Sequence, residues 1–271
     1  MNYRVVSLLP MKFIIDSHIH VYPCYDLERA FSTLLSRMDG VAPDAVNVAC
    51  LTERYDCDFF DELSADSTPL DDRFSVRDDP NETCLWIQRK DGGGSVALLP
   101  GRQVVSSENI EVIALAHRQR IADGLPAAQI VETVLKNDGV PMLSWSPGKW
   151  WFGRGNVVTS LLDRFSPAHM VIGDTGLRPL GWGTPWLMRK ARNRGFRVLA
   201  GSDPLPVIGE ERYFGTYMTA AETATASASP TALIHSIVRD SSVSLSVRGS
   251  RPMPFAIAQR LRKNSAAKTQ R

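Results

Sequence analysis

The sequence predicts a single domain of the α/β class, a distorted TIM-like β/α barrel, and three observations lead there. At 271 residues the chain is close to the roughly 250 residues of one such barrel, so length asks for no second domain. Its second half alternates apolar strand patterns with helical ones, as parallel strands joined by helices do. Its first apolar strand, residues 12–22, carries Asp16-x-His18-x-His20 near its end, where barrel proteins place functional side chains.

After that strand, residues 27–38 space Leu27, Phe31, Leu34 and Leu35 helically and complete a first strand–helix unit. Residues 46–51 repeat the strand pattern, run into Thr52, Glu53 and Arg54, and precede a short acidic helix over 59–63. Residues 66–82, rich in Asp, Pro and Ser, read as a loop. Segments 83–88 and 95–99 flank Asp91-Gly92-Gly93-Gly94 as a β-hairpin, a departure from strict alternation. Val104 and residues 110–115 are strand material, and 126–136 is a helix ending near Gly139. Alternation then resumes with strand 141–145, helix 157–165, strand 170–173, helix 185–194 and strand 197–200. Residues 219–229, rich in Ala, Thr and Ser, read as a surface linker before helix 230–239 and strand 243–247. The expected organisation is an extension over 1–11, a barrel over 12–218, and a linker, helix, strand and basic tail over 219–271.

Composition narrows the function classes. A hydrophobic share of 44% and a charged share of 22% suit a chain with a sizeable buried core. A net charge of +2 is too small to make nucleic acid or an anionic membrane the main partner. Beyond Asp240 only basic charges follow, from Arg248 to Arg271, and this tail reads as a solvated, frayed terminus. Cys24, Cys50, Cys57 and Cys84 form no C-x-x-C pair and read as free thiols of a reducing compartment. Pro10 and Lys12 interrupt the apolar start, no small-residue cleavage site follows, and no run approaches the roughly 18 apolar residues of a membrane span. Cytoplasmic residence is the expectation.

The chemistry-bearing residues gather at strand ends. A period of two puts Asp16, His18 and His20 on one face. Two neutral imidazoles there can bind a divalent ion, with a carboxylate to ligate or orient them, although an isolated H-x-H also occurs as a hydrogen-bonded pair. Gly201-Ser202-Asp203 places Asp203 just past another strand, and Ser-Asp-Pro is also a good turn initiator. Asp174, in Gly173-Asp174-Thr175-Gly176, reads equally as a ligand or as part of a turn. Glu53 and Glu111 read equally as ligands or as ion-pair partners. The connection 144–155 holds three of the six tryptophans; Trp150 and Trp151 are expected to pack over the rim. Within it, Lys149 and Arg154 lie among glycines ahead of a helix, a setting suited to holding an anion, without the spacing of a P-loop. His117, His169 and His235 fall outside this constellation.

Taken in order over residues 12–206, Asp16-x-His18-x-His20, Leu51-Thr52-Glu53-Arg54, Pro100-Gly101-Arg102-Gln103, Ile110-Glu111-Val112-Ile113 and Gly201-Ser202-Asp203 resemble the motifs of the polymerase and histidinol phosphatase (PHP) family. The resemblance implies a distorted barrel that binds a cluster of divalent ions and hydrolyses phosphate esters. The chain departs from that pattern at Gln103, where the family has a glutamate, and at Arg54, Glu111, Ser146 and Leu205, where it has histidines. Most nitrogen ligands are thereby lost. The resemblance then implies one divalent ion, Zn, Mn or Fe, held by His18, His20, Asp203 and one of Glu53, Glu111 and Asp174. The implied activity is hydrolysis of a small anionic, phosphate-bearing substrate through a metal-activated water, with Asp203 accepting a proton and Lys149 and Arg154 neutralising charge. Two alternatives stay open: an amidohydrolase-type C–N hydrolase, which also joins an early H-x-H to a late Asp, and a degenerate barrel that binds or regulates without turnover.

Overall fold

Strand pairing in the protein follows two separate ladders. The structure is a computed structural model describing residues 10–65, 70, 72–80, 82–224 and 229–269; most of the expected N-terminal extension and part of the expected 66–82 loop lie outside them. In chain order the elements are β1 (Met11–Ile19), α1 (Leu27–Val41), β2 (Val46–Leu51), α2 (Phe59–Ser64), β3 (Phe74–Asp78), β4 (Leu85–Arg89), β5 (Ser95–Leu99), β6 (Gly101–Val105), β7 (Glu111–Leu115), α3 (Ala127–Lys136), β8 (Val140–Ser144), α4 (Gly153–Arg164), β9 (Val171–Thr175), α5 (Trp186–Asn193), β10 (Val198–Gly201), a 3-10 turn (Glu210–Tyr213), β11 (Tyr217–Thr223), α6 (Pro230–Arg239), β12 (Ser244–Gly249) and α7 (Pro254–Thr269). One sheet has the order β12-β11-β1-β2-β5-β4-β3, the other β10-β9-β8-β7-β6.

Period-two alternation sorts the strands' side chains into layers. Phe13, Ile15, Val48, Leu99, Ile113, Met142 and Leu199 from both sheets meet in one shared interior, joined by Leu233, Ile234 and Ile237 of α6. Opposite-parity residues Ile14, Ala49 and Leu98 face outward with Phe31, Leu34 and Leu35 of α1. On the second sheet Val112, Leu143 and Ile172 do the same with α3, α4 and α5. Helix α1 begins where the Asp26 carboxylate accepts the Arg29 N–H at 3.0 Å, and Ser229 caps α6 ahead of Pro230.

The expected closed TIM-like barrel is not formed. Its β/α alternation survives in the parallel runs β1-β2-β5 and β8-β9-β10, but β4 and β7 each run antiparallel to both neighbours, β11 returns antiparallel beside β1, and β12 pairs antiparallel with the outer edge of β11. The two sheets meet at seams without a continuous ladder. At one, a single bridge joins Glu53 to Arg102. At the other, the Asp16 carboxylate occupies the gap between β1 and the chain after β10, accepting from Ser202 N at 2.9 Å, Ser202 Oγ at 2.6 Å and Gly215 N at 2.9 Å. The Asp203 N–H also crosses there to the His18 carbonyl at 2.8 Å, but the Asp16 side-chain oxygens stand where barrel closure would need a continuous backbone ladder.

Three local expectations are corrected as well. Residues 219–223 of the expected linker belong to strand β11, in register with β1 through Phe13↔Ala221; their small Ala and Thr side chains suit close packing beside α6. The loop expected over 66–82 contains β3, paired with β4. The basic tail is α7, anchored by buried Arg260 and Ile257. Among the described residues no helix is long and apolar enough to cross a membrane.

Candidate metal centre

The two histidines owe their direction to a bulge. β1 and β2 keep register from Phe13↔Val46 to Asp16↔Ala49, then β1 takes an extra residue before Ile19↔Leu51. Ile14 and Ile19 consequently share the outer layer, and His18 and His20 turn to the side of Phe13 and Ile15. Asp16, expected on the same face as both histidines, is left at the seam, where burial pushes its pKa up to about 6 against the hydrogen bonds from Ser202 and Gly215.

The imidazoles converge. Nε2 of His18 lies 3.0 Å from Nε2 of His20, and Oδ1 of Asp203 lies 3.6 and 3.7 Å from them. The Thr52 hydroxyl donates to the Ile19 carbonyl at 2.9 Å, so its oxygen accepts from Nδ1–H of His20 at 3.3 Å. That bond leaves the Nε2 lone pair facing inward. Burial, reinforced by His18, pushes the His20 pKa down to about 3 despite Asp203, so this ring is neutral at ordinary pH. On the far side of His18, Nδ1 is 3.4 Å from Ser144 Oγ.

Asp203 is placed by three neighbours. Gly201 lies so close to β1 that a Cβ on it would come 2.4 Å from His18 Cβ. Ser202 spends its N–H and hydroxyl on Asp16. Asp203 itself adopts a left-handed φ of 49°, a conformation Asp tolerates better than most residues, and donates its N–H to the His18 carbonyl at 2.8 Å. Thr175 Oγ1 donates to its Oδ2 at 2.8 Å. Burial alone would raise its pKa, but the imidazoles and the Thr175 bond outweigh it and hold the carboxyl below the usual range.

Among the described residues only His18, His20 and Asp203 form a group with potential donor atoms all within 4.8 Å of one another. Two nitrogens and one carboxylate oxygen, oriented from behind by Thr52, Ser144 and Thr175, fit a divalent ion with open positions for further ligands. Two inward nitrogens 3.0 Å apart also call for a proton or a cation between them.

His20 and Asp203 line a cleft of about 390 Å³. Arg54, Gln103, Glu111, Ser146 and Leu205, the five positions of departure from the resembled motifs, line the same cleft. Lys149 also lines it and pairs with Glu111 at 3.1 Å. Three other sequence candidates are placed elsewhere. Glu53 is buried behind the cleft, accepting from Phe60 N at 3.1 Å and facing Arg102 at 3.6 Å. Asp174 accepts from Arg178 through both oxygens and from the Tyr217 hydroxyl at 2.8 Å. Arg154 donates to the Gly148 carbonyl at 2.6 Å and lines a different, shallow cleft. Trp150 is buried as expected, whereas Trp151 is 44% exposed and stacks on Trp182.

Sequence reasoning missed Thr175, Tyr22, Lys268 and Arg260. For Thr175 a signal existed: Val171 lies in the interior, so period two aims Thr175, not Asp174, the same way. Arg260 reaches the site from α7, bonding to Glu210 and, at 3.3 Å, to the Asp203 carbonyl. Nothing local in the sequence marks it.

Fold and site together define an α/β protein with two facing sheets and a His-His-Asp centre at the foot of a polar cleft. No family model matches the chain, nor does any curated protein. Solved structures do share its fold. PsfC from Pseudomonas syringae superposes with a TM-score of 0.51 at 14% identity, over 95% of this chain and 99% of that one. The lesion-specific endonuclease Q from Pyrococcus furiosus gives 0.50 at 13% identity over 89% of this chain. Endonuclease Q in complex with a 27-mer duplex carrying an abasic lesion gives 0.51 at 13% identity. The match spans 60% of the endonuclease Q chain in both cases.

Proposed function

We propose that this chain is a metal-dependent hydrolase of phosphate esters, related to the PHP family in its site chemistry, with one divalent ion held by His18 Nε2, His20 Nε2 and Asp203 Oδ1. The observation that carries the reading is the convergence of these donors within 4.8 Å at the foot of a cleft that Arg54, Lys149 and Lys268 also line. An ion bound there supplies Lewis acidity and a water made acidic enough to act near neutral pH. The chain's own residues do the rest. Thr52 and Thr175 keep His20 and Asp203 in the donor orientation. Arg54 and Lys149 attract phosphoryl oxygens and offset the charge that builds on them. Glu111, in the cleft but outside the donor group, is placed to accept a proton while Lys149 holds its carboxylate.

The fold neighbour described as a lesion-specific endonuclease, with a DNA duplex as its substrate, supports ester hydrolysis at phosphorus as the chemistry. The cleft volume suits a small substrate, and the modest net charge favours one over a polyanion. A second reading is a protein that binds an anion without turnover. It is favoured by Arg54 and Leu205 standing in the cleft at positions where the resembled family has metal ligands.

The deciding experiment measures the metal content of untagged protein, native and His18→Ala/His20→Ala, together with chelator-sensitive hydrolysis of a phosphomonoester and a phosphodiester. A near-stoichiometric ion and turnover, both lost in the double mutant, are expected. Thermal stabilisation by phosphate with no turnover in any metal would instead establish the binding reading. Turnover that survives in the double mutant would refute the assigned centre.

A further inference from the structure

Beside the metal cleft runs a second cavity of about 540 Å³ in which no charged side chain takes part among the described residues. Pro179, Leu180 and Trp182 form one wall. The other is the face of α7 carrying Ile257, Ala258 and Leu261, residues spaced for one side of a helix. Two residues belong to both cavities: Pro147 and Leu261 line the groove and the metal cleft alike. One turn and two turns beyond Leu261, Asn264 and Lys268 line the metal cleft. A single stripe of α7 thus passes from an apolar groove to a polar, cationic cleft.

The groove is built before any ligand arrives. Trp182 sits between Trp145 and Trp151, with ring centres 6.3 and 6.1 Å away. Its carbonyl accepts from Arg178 at 2.7 Å and from Arg251 at 3.3 Å, and Leu180 N donates to the Pro252 carbonyl at 2.8 Å. On the other wall, Ile257 packs with Leu177 and Leu205, and Arg260 ties α7 to Glu210. Yet Leu180 and Trp182 stay 46% and 42% exposed. A rigid apolar surface left open to water is the usual form of a preformed subsite, because little ordering entropy is lost on binding.

We infer that this groove is a substrate subsite that receives the apolar alcohol portion of the ester whose phosphoryl group lies in the metal cleft, so that the substrate is an amphiphilic alkyl or aryl phosphate. The inference rests on the phosphoesterase reading for the head group and adds the character of the remainder. Continuity selects the occupant: an apolar molecule alone gains nothing from Arg54 and Lys149, and an inorganic anion gains nothing from Trp182. A ligand with both ends uses both walls that Pro147 and Leu261 share. The stretch of α7 from Pro254 to Leu261 rises about 10 Å, near the length of an extended octyl chain.

The test is calorimetric titration of the full-length protein, as purified, with ethyl phosphate and with octyl phosphate below its micellar concentration. Native protein is compared with Ala258→Glu and Leu180→Glu, which place a charge in the groove from opposite walls at exposed positions; thermal melting confirms that each variant is folded. The groove covers only part of a chain, so about a twofold gain per methylene, half the free energy of full burial, predicts octyl phosphate binding at least tenfold tighter than ethyl phosphate. In both variants the octyl-to-ethyl ratio should fall to near one. A native ratio near one, no binding of octyl phosphate, or a ratio that stays high in both variants would each overturn the inference. A high native ratio that collapses in the variants, without hydrolysis in any metal, would uphold the subsite and refute the hydrolase reading.

Discussion

Around Gly201 the separation between β10 and β1 is set by the absence of a side chain: an added Cβ would also lie 2.6 Å from the His18 backbone nitrogen. Gly201→Ala must push His18 away or part the seam, and overpacking of this kind costs about 2 kcal/mol. The expected outcome is a lower urea midpoint with an unchanged slope. Thr175→Val conserves shape but removes the donor to Asp203 Oδ2, and losing such an orienting partner should weaken metal affinity about tenfold, read by competition with a chelating dye. Much at this scale was legible in the sequence. Asp-x-His-x-His and Gly-Ser-Asp are short motifs whose chemistry is carried by adjacent residues, and the structure brings His18, His20 and Asp203 together. Asp16 was misplaced because the bulge exists only relative to β2, a partner some 30 residues onward. Glu53 and Asp174 were natural candidates by type, but whether a carboxylate faces a cleft or a buried arginine depends on Arg102 and Arg178, whose positions the local sequence does not specify.

Among the elements, α7 departs most from expectation. Its many basic residues read as a solvated tail because charge dominates its composition, yet one of them, Arg260, is buried against Glu210 and stacks over Tyr213 at 3.9 Å. Replacing it with alanine leaves Glu210 buried without its charge partner, a change that costs about 3 kcal/mol or more. Arg260→Ala should therefore lower Tm and speed hydrogen exchange across 254–268, with little change in exchange across α1. Strand β11 was hidden for a different reason. Ala and Thr have weak signals in any pattern, and what makes 217–223 a strand is the open edge of β1 beside it. The strongly patterned elements, β2, α3 and α6, were read to within a residue or two, because a continuous apolar face needs no distant partner to be recognised.

Over the whole molecule, alternation of strands and helices announced an α/β protein, and the parallel runs are where it was strongest. Closure into a barrel was a further step, and it failed because it depends on how edges pair, which is a property of strands far apart in sequence. The proposed metal donors straddle one of the resulting seams: His18 and His20 come from the first sheet and its continuation, Asp203 from the chain leaving the second. On the proposed reading, binding there would join the sheets, so chelation of metal-loaded protein should lower Tm. An ion present at a hundred times its Kd contributes about 2.7 kcal/mol, and His18→Ala/His20→Ala should melt at the same temperature with and without chelator.

A seam held by the Asp16 side chain and a backbone bond from Asp203 to His18 has a reciprocal property. If the ion draws the sheets together, then whatever spreads them must loosen the ion by the same free energy, since linkage runs both ways. A ligand in the proposed groove between α7 and the loop at 177–182 would be linked to the segment that carries Asp203 through Arg260, and whatever factor it changes the ion's affinity by, the ion would change its affinity by the same factor.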